Sequence, residues 1–402
     1  MSTEVHVGRQ PIHDHDLDVV AYELRYRGFA GNTSEETATR TFLAGMIDLG
    51  LERIATGLPV TVRLPQSMLR DGTLAHLPWE RIVFELGPED AVDDELEGLL
   101  RSAADTGVRL RIPDPVAHPQ LGRVADIASM VAVDVTWLDP AARRRRRAEL
   151  ARPGTAILAA GIDHHDVHED CMAAGYDLFT GRILATPNVV SGRRLSSQRG
   201  GLLQLLTRLD DPTVSVDHLE EAIASDPQLS YQLLRYVNSA FIGLRREVDS
   251  VRRAIVIVGP PVLRQLATML LMEATSDRPV EAGRIALVRA GMCRAIGEAM
   301  NDPRPAYSTV GLLSTVDLLT GVDLTTALDE LPLTPDVRGA LLHHEGVLGR
   351  VLHAVKLYER FEWNHPVLSS FDPYVLSHAY FTAVAWADDL LAALDEVAAE
   401  PV

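Results

Sequence analysis

The sequence predicts a multidomain chain, an α/β barrel followed by an all-α domain, and three observations carry that expectation. Through the first half, short apolar runs alternate with helix-period stretches, the pattern of repeated βα units. Beyond Pro187 every long pattern has helical period. Between the two lies a polar segment, Asn188 to Arg199, that holds Ser191, Gly192, Ser196 and Ser197 and reads as a linker. The expected division is 1–187 for the barrel, 188–199 for the linker and 200–402 for the helical domain.

Val19 to Tyr26, Val60 to Leu64, Ile82 to Leu86, Val108 to Ile112, Met130 to Val135 and Ala156 to Ala160 read as strands, with a weaker one near Asp177 to Phe179. Their near-continuous apolar character suits a parallel sheet or barrel buried on both faces. Helical stretches separate them: Thr33 to Leu49, opened by a Thr33 and Glu36 capping box, then Asp90 to Ala104, Gln120 to Ala128, Ala141 to Leu150 and His165 to Ala174. In the second half Asp226 can accept orphan N–H bonds at a helix start, and the fixed φ of Pro227 suits the first helical position. Leu229, Leu233, Leu234 and Val237 give that helix a buried face. After Asn238 and Ser239 the chain turns at Gly243, with Asn238 placed to satisfy the last carbonyls or to bridge to the next helix. Ser250 caps a second helix carrying Ala254, Ile255 and Val258; Gly259 ends it, and Pro261 opens a third with Leu263, Leu266 and Leu270.

Composition narrows the function classes. At 402 residues and 47 % apolar content the chain can bury two or three full cores. A net charge of -18 argues against a general nucleic-acid surface, which needs a clustered positive excess. Two cysteines, Cys171 and Cys293, make neither a disulfide framework nor a structural zinc set. No segment reads as a signal peptide, and no window of eighteen apolar residues is free of charge, so a cytoplasmic protein without a membrane partner is expected.

The tract DPQLSYQLLRYVNSA followed by SVRRAIVIVG resembles the hallmark of the HDOD family, and Tyr307 onward, YSTVGLLSTVDLL, is similar to its later part. The resemblance runs from about Leu195 to the end and marks Asp226, Pro227, Asn238 and Gly259 as signature positions. It implies a fold like that of HD-type metal phosphohydrolases without their His-Asp metal set, acting as a signalling or interaction module.

The opening VGRQPIHDHDLDVVAYELRYRG resembles the start of the EAL domains that are joined to HDOD domains, over Val5 to Pro187. Active EAL barrels hydrolyse cyclic di-GMP with two divalent ions held by carboxylate and amide oxygens at the strand ends. The resemblance keeps Glu23 of AYELRYR as the signature glutamate, Arg27 as the phosphate-holding arginine, Glu85 of VFELGP as a further ligand, and Asp114 and Asp134 as surviving carboxylates. It replaces the metal-binding asparagine by Arg63, one paired aspartate by Pro113, the strand lysine by Ala132, a glutamate in the AAGID stretch and the glutamine by Thr180. Losing one member of such a set costs roughly a hundredfold or more. A degenerate EAL barrel without catalytic or metal residues is therefore expected, with Glu23, Arg27, Glu85, Asp114 and Asp134 lining a remnant ligand pocket. The alternative is that they are structural partners, such as a Glu23 to Arg27 ion pair.

Other constellations have two readings each. Asp163, His164, His165, Asp166, His168, Glu169 and Asp170 place His164 and His168 at i, i+4 spacing for zinc, or simply put acids at a helix N-terminus. His343, His344 and Glu345 read as solvated or core residues, and the His-Asp pairs in His13, Asp14, His15 and Asp16 as accidental. The run Arg143 to Arg147 is a solvated outer helix or a docking face for an acidic partner, a second copy of the chain included. Tyr231, Tyr236 and Phe241 read as core and subunit contact rather than a base-stacking platform. The expected function is non-catalytic signal transduction through protein-protein contacts, self-association among them, with no cofactor and no nucleic acid. The alternatives are a cyclic di-GMP receptor that does not cleave, and a weak residual cyclic di-GMP phosphodiesterase.

Overall fold

The structure, a computed structural model, describes residues 5–29, 34–49, 55, 57–70, 79–189, 194–211, 213–224, 226–238, 248–275 and 278–399. It divides into two compact units, Met1–Thr186 and Pro187–Val402.

The first unit is a closed eight-stranded barrel in sequence order. β1 (Val5–His13) runs antiparallel to both β2 (Val19–Gly28) and β8 (Leu178–Thr180), while β2, β3 (Val60–Arg63), β4 (Ile82–Glu85), β5 (Arg109–Pro113), β6 (Met130–Asp134), β7 (Ala156–Ala160) and β8 pair in parallel. The all-parallel expectation thus changes at β1, whose sequence VHVGRQPIH hides a strand. Gly8, Arg9, Gln10 and Pro11 break its apolar run, and pairing on both edges compensates. The His13 to Asp16 stretch is the β1–β2 turn, where Asp14 Oδ1 accepts from the N–H groups of Asp16 (2.9 Å) and Asp18 (3.1 Å).

Outside the barrel, α1 (Glu35–Leu49) is capped by Ser34, whose Oγ accepts from Thr37 N at 3.2 Å; the proposed cap Thr33 lies outside the described residues. A short α2 (Gln66–Arg70) follows β3. α3 (Asp94–Asp105) starts later than Asp90 because Asp93 is its cap, accepting from Leu96 N at 2.8 Å. The expected helix at Gln120 shortens to a 3₁₀ turn, Pro119–Val124. α4 (Pro140–Leu150), capped by Asp139, and α5 (His165–Ala173) complete the set. Ile12, Ala21, Met130 and Leu158 pack together with Ala132 and Leu178.

The second unit is helical: α6 (Ser197–Arg208), α7 (Val216–Ala224), α8 (Pro227–Val237), α9 (Val251–Ala274), α10 (Val280–Ala299), α11 (Ala306–Leu313), α12 (Val316–Thr320), α13 (Leu324–Asp329), α14 (Pro335–His343), α15 (Gly346–Glu359) and α16 (Pro373–Ala399). Residues 197–199, expected in the linker, open α6, and Ser196 caps it. Ser191 and Gly192 lie outside the described residues. The core runs through Leu233, Tyr236, Leu266, Leu270, Leu287, Val355 and Tyr358. Gly291 lets α16 approach α10, since a Cβ there would stand 3.0 Å from Ala383 Cβ. α9 is broken at Gly259 (φ 72°), where two helices meet end to end before Pro260 and Pro261. α9 is long and apolar enough to cross a bilayer; half of that stretch is buried within the unit, and Arg264 in it pairs with Asp210 at 2.8 Å.

Candidate site at the barrel mouth

Strand register decides which side chains meet, because neighbours in register share a face. Glu23 stands beside Thr61, and Arg63, Glu85 and Arg111 form one row across β3, β4 and β5, so its charges alternate in sign. Arg111 is 4 % exposed, as is Glu23. The Arg111 Nη1 donates to Glu23 Oε2 at 2.9 Å and lies 3.5 Å from Glu85 Oε2. Arg25 also pairs with Glu23.

One guanidinium thus lies between two carboxylates, and it divides them. Burial by itself raises the pKa of Glu23, but the Arg111 and Arg25 charges outweigh it and hold the carboxyl below its ordinary value. At Glu85 burial wins over Arg111, and the neighbouring Glu23 charge adds to it, so its pKa is raised. Burial works against the charge of Arg111, yet Glu23 and Glu85 keep its pKa raised.

The other expected residues go elsewhere. Arg27 is exposed at the end of β2, opposite His6; burial, helped by the Arg27 charge, lowers that imidazole to about 4. The Glu23 to Arg27 ion pair is replaced by Glu23 with Arg111 and Arg25, because the inward parity of β5 brings a nearer cation. Asp114 is not brought to Glu23 and Glu85: Arg146 of α4 claims its Oδ2, and its Oδ1 accepts from Val116 N at 2.9 Å. Asp134 is exposed at the end of β6, its Oδ1 accepting from Thr136 N at 2.9 Å. Arg63 pairs with Glu89, in the space that a side chain at Gly87 would need. Sequence reasoning missed Arg111; the signal was an arginine of inward parity inside the apolar strand RLRIP.

The arginine run and the histidine-rich helix resolve as structure. Arg143 donates to Asp170 at 3.0 Å, Arg146 to Asp114 and Arg147 to Asp177 at 3.3 Å, so three of the five tie α4 into the unit rather than leaving a solvated stripe. His164 is an exposed cap position, whereas His168 is buried 4.7 Å from the Phe179 ring and lowered to about 4 by burial, with the nearby histidines adding to it. The i, i+4 pair therefore does not converge, and among the described residues no group of three His, Cys, Asp or Glu side chains is placed to hold a metal. Burial pushes Cys171 up to about 11 and Cys293 up to about 12, so both stay unreactive thiols.

In the helical unit the signature residues serve the backbone. Asp226 Oδ1 accepts from Gln228 N (2.9 Å) and Leu229 N (3.2 Å), with Pro227 opening α8. Asn238 ends α8 and clamps Val248, donating to its carbonyl at 2.8 Å and accepting from its N–H at 2.7 Å. Gly259 makes the break in α9. Tyr231 is exposed while Tyr236 is buried against Glu273 at 3.0 Å, so these two do not form one platform; Ser239, Phe241 and Gly243 lie outside the described residues.

Comparison with known proteins places these units. The HDOD domain family matches residues 195–325. Two curated proteins are similar over nearly the whole chain. The uncharacterized protein YuxH of Bacillus subtilis (strain 168) is 25 % identical over 404 aligned residues, 96 % of this chain and 99 % of its own length. The cyclic di-GMP phosphodiesterase CdgJ of Vibrio cholerae is 26 % identical over 402, covering 96 % and 93 %. Among solved structures, an EAL domain protein of Listeria monocytogenes EGD-e is similar to 44 % of this chain over 86 % of its own, with 15 % identity and a TM-score of 0.34. The chain carries an HDOD domain, which follows the closed eight-stranded barrel in sequence.

Proposed function

We propose that the chain is a regulatory protein of cyclic di-GMP signalling that works through protein-protein contacts and does not hydrolyse the nucleotide. One observation carries this reading: Arg111 fills the space between Glu23 and Glu85, two of the carboxylates an active EAL barrel would offer to divalent ions. Bringing a divalent ion within 5 Å of that guanidinium costs about 7 kcal/mol of Coulomb repulsion at an effective dielectric of ~20. Arg63 and Pro113, standing where a ligand amide and a ligand carboxylate are needed, support the same conclusion. The name of the similar Vibrio cholerae protein weighs toward hydrolysis, and so the decisive test is direct. The full chain is incubated with cyclic di-GMP and magnesium or manganese, and linear product is followed by chromatography. No turnover is expected; turnover abolished by Glu23→Ala would sink the reading.

In this reading residues 1–187 receive the input, 188–199 link, and 200–402 present the output surface in a cytoplasmic protein. A nucleotide acting as input shifts the partner-binding state only by its differential affinity for the two states. The net charge of -18 weighs against nucleic acid and so toward protein partners.

A second reading, a receptor that binds cyclic di-GMP without cleaving it, is favoured by the exposure of Arg27 and Asp134 at the ends of β2 and β6. A guanidinium pairs bidentately with phosphate, so Arg27→Ala should weaken binding about tenfold or more in a calorimetric titration. Equal binding by wild type and Arg27→Ala removes that residue from the site.

A further inference from the structure

The helical unit gathers three imidazoles and two longer cations around α15. Two left-handed residues build the cluster. His344 (φ 55°) ends α14, and Gly349 leaves room for its backbone against the first turn of α15, where any Cβ would collide with the His344 carbonyl. Phe361 (φ 61°) reverses the chain after α15. These turns stack the His344 ring on His353, parallel at 4.6 Å, and return His365 to the same ring at 5.7 Å. His353, Lys356 and Arg360 are spaced i, i+3 and i+7 along α15, hence on one helix face.

Lys356 is the only lysine of a chain with 38 basic residues, and it is half-buried with no hydrogen bond or ion pair among the described residues. Two of the acids nearby are committed elsewhere. Glu359 is held by Arg289 through contacts of 2.8 to 3.1 Å, and Asp317 accepts from Leu318 N at 2.8 Å. Glu362, exposed, is the acid that acts on His353. Burial lowers His344 to about 4, and the charges of Lys356, His353 and Arg360 all add in that direction. Such a field repels a metal ion, and His365 Nδ1 already accepts from Val367 N at 3.3 Å. It suits an anion with several oxygens, because a compact ammonium, a guanidinium fork and imidazole N–H groups all donate.

We propose that this face, His344, His353, Lys356, Arg360 and His365, binds a small phosphate-bearing anion. Binding would favour the imidazolium forms, so the ring titration midpoints rise when the anion is bound. The test uses the full chain and inorganic pyrophosphate, with the ring protons of the 14 histidines followed by NMR against chloride of equal ionic strength. Saturable shifts confined to His344, His353 and His365 are expected, with their titration midpoints raised. Arg360→Gln, a change at an exposed position, and Lys356→Gln should each weaken binding about tenfold. Should Lys356→Gln fail to fold, Arg360→Gln alone decides. The proposal is overturned by the absence of a saturable shift, by equal shifts at all histidines, by shifts confined to His6, His13 and His168 of the barrel, or by unchanged affinity in Arg360→Gln. Binding of a phosphoserine peptide where pyrophosphate fails would equally overturn the small-anion assignment.

Discussion

Each unit buries an arginine, and the two are treated differently. In the helical unit Arg289 meets one carboxylate, Glu359, in a forked pair, and its Nη1 donates to the carbonyl and hydroxyl of Ser314 at 3.2 and 3.1 Å. In the barrel Arg111 faces two carboxylates, touches the second only at 3.5 Å, and leaves its Nε without a hydrogen bond among the described residues. The first is a closed structural clamp, in which charge and donors are matched. The second is a cation set unevenly between two carboxylates, close to Glu23 and looser to Glu85.

That difference predicts unequal mutants. Arg289→Met should cost about 3 kcal/mol, since the half-buried Glu359 loses its forked partner and Ser314 its donor. Arg111→Met strips the cation from Glu85, but Arg25 remains paired with Glu23, and a divalent ion can now take the vacated place. We expect a smaller loss in denaturant melts, and one that millimolar manganese recovers. A loss equal to that of Arg289→Met and indifferent to manganese would show that the barrel arginine is a clamp of the same kind, and would weaken the reading of the mouth as a former metal site.

Asn238→Ala is next in size. Its amide makes two backbone bonds to the buried Val248, and because Asn238 itself is exposed, so that water can take its place, their loss should cost about 1 to 2 kcal/mol. A melting curve that overlays wild type would remove the clamp. Asp226→Ala, which strips one cap from α8, should cost about 1 kcal/mol by the same measurement.

Asp226 also shows what was legible. Asp226, Pro227 and Gly259 could be read in order because caps and breaks are local, set by residues within a turn of each other. The interior strands were legible for a similar reason, their apolar runs being continuous. β1 was not, because its stability comes from pairing on both edges rather than from its own composition. The site was harder still. Glu23 and Glu85 could be picked from their motifs, but that Arg111 joins them depends on register across β2, β4 and β5, 88 residues apart in the Glu23 case. Asp114 failed for the converse reason: its neighbours in sequence suggest the mouth, while Arg146 of α4 holds it elsewhere.

Glu85→Gln gives the smallest expected effect and the sharpest sign. Its folded pKa is raised, so between the unfolded and folded values the native state binds more protons, and stability falls as pH rises through that window. Glu23 has the opposite sign: its lowered pKa contributes stability that is present above the unfolded value and lost as pH falls through the folded one. In wild type the two oppose each other, Glu85 favouring mild acid and Glu23 favouring neutral pH. Replacing Glu85 by glutamine removes the first contribution while leaving the Arg111 to Glu23 pair, so stability at neutral pH should stay level or rise slightly, and the gain on mild acidification should disappear. A variant markedly less stable than wild type at neutral pH would mean that Arg111 needs both carboxylates, and the contrast with Arg289 would then rest on geometry alone.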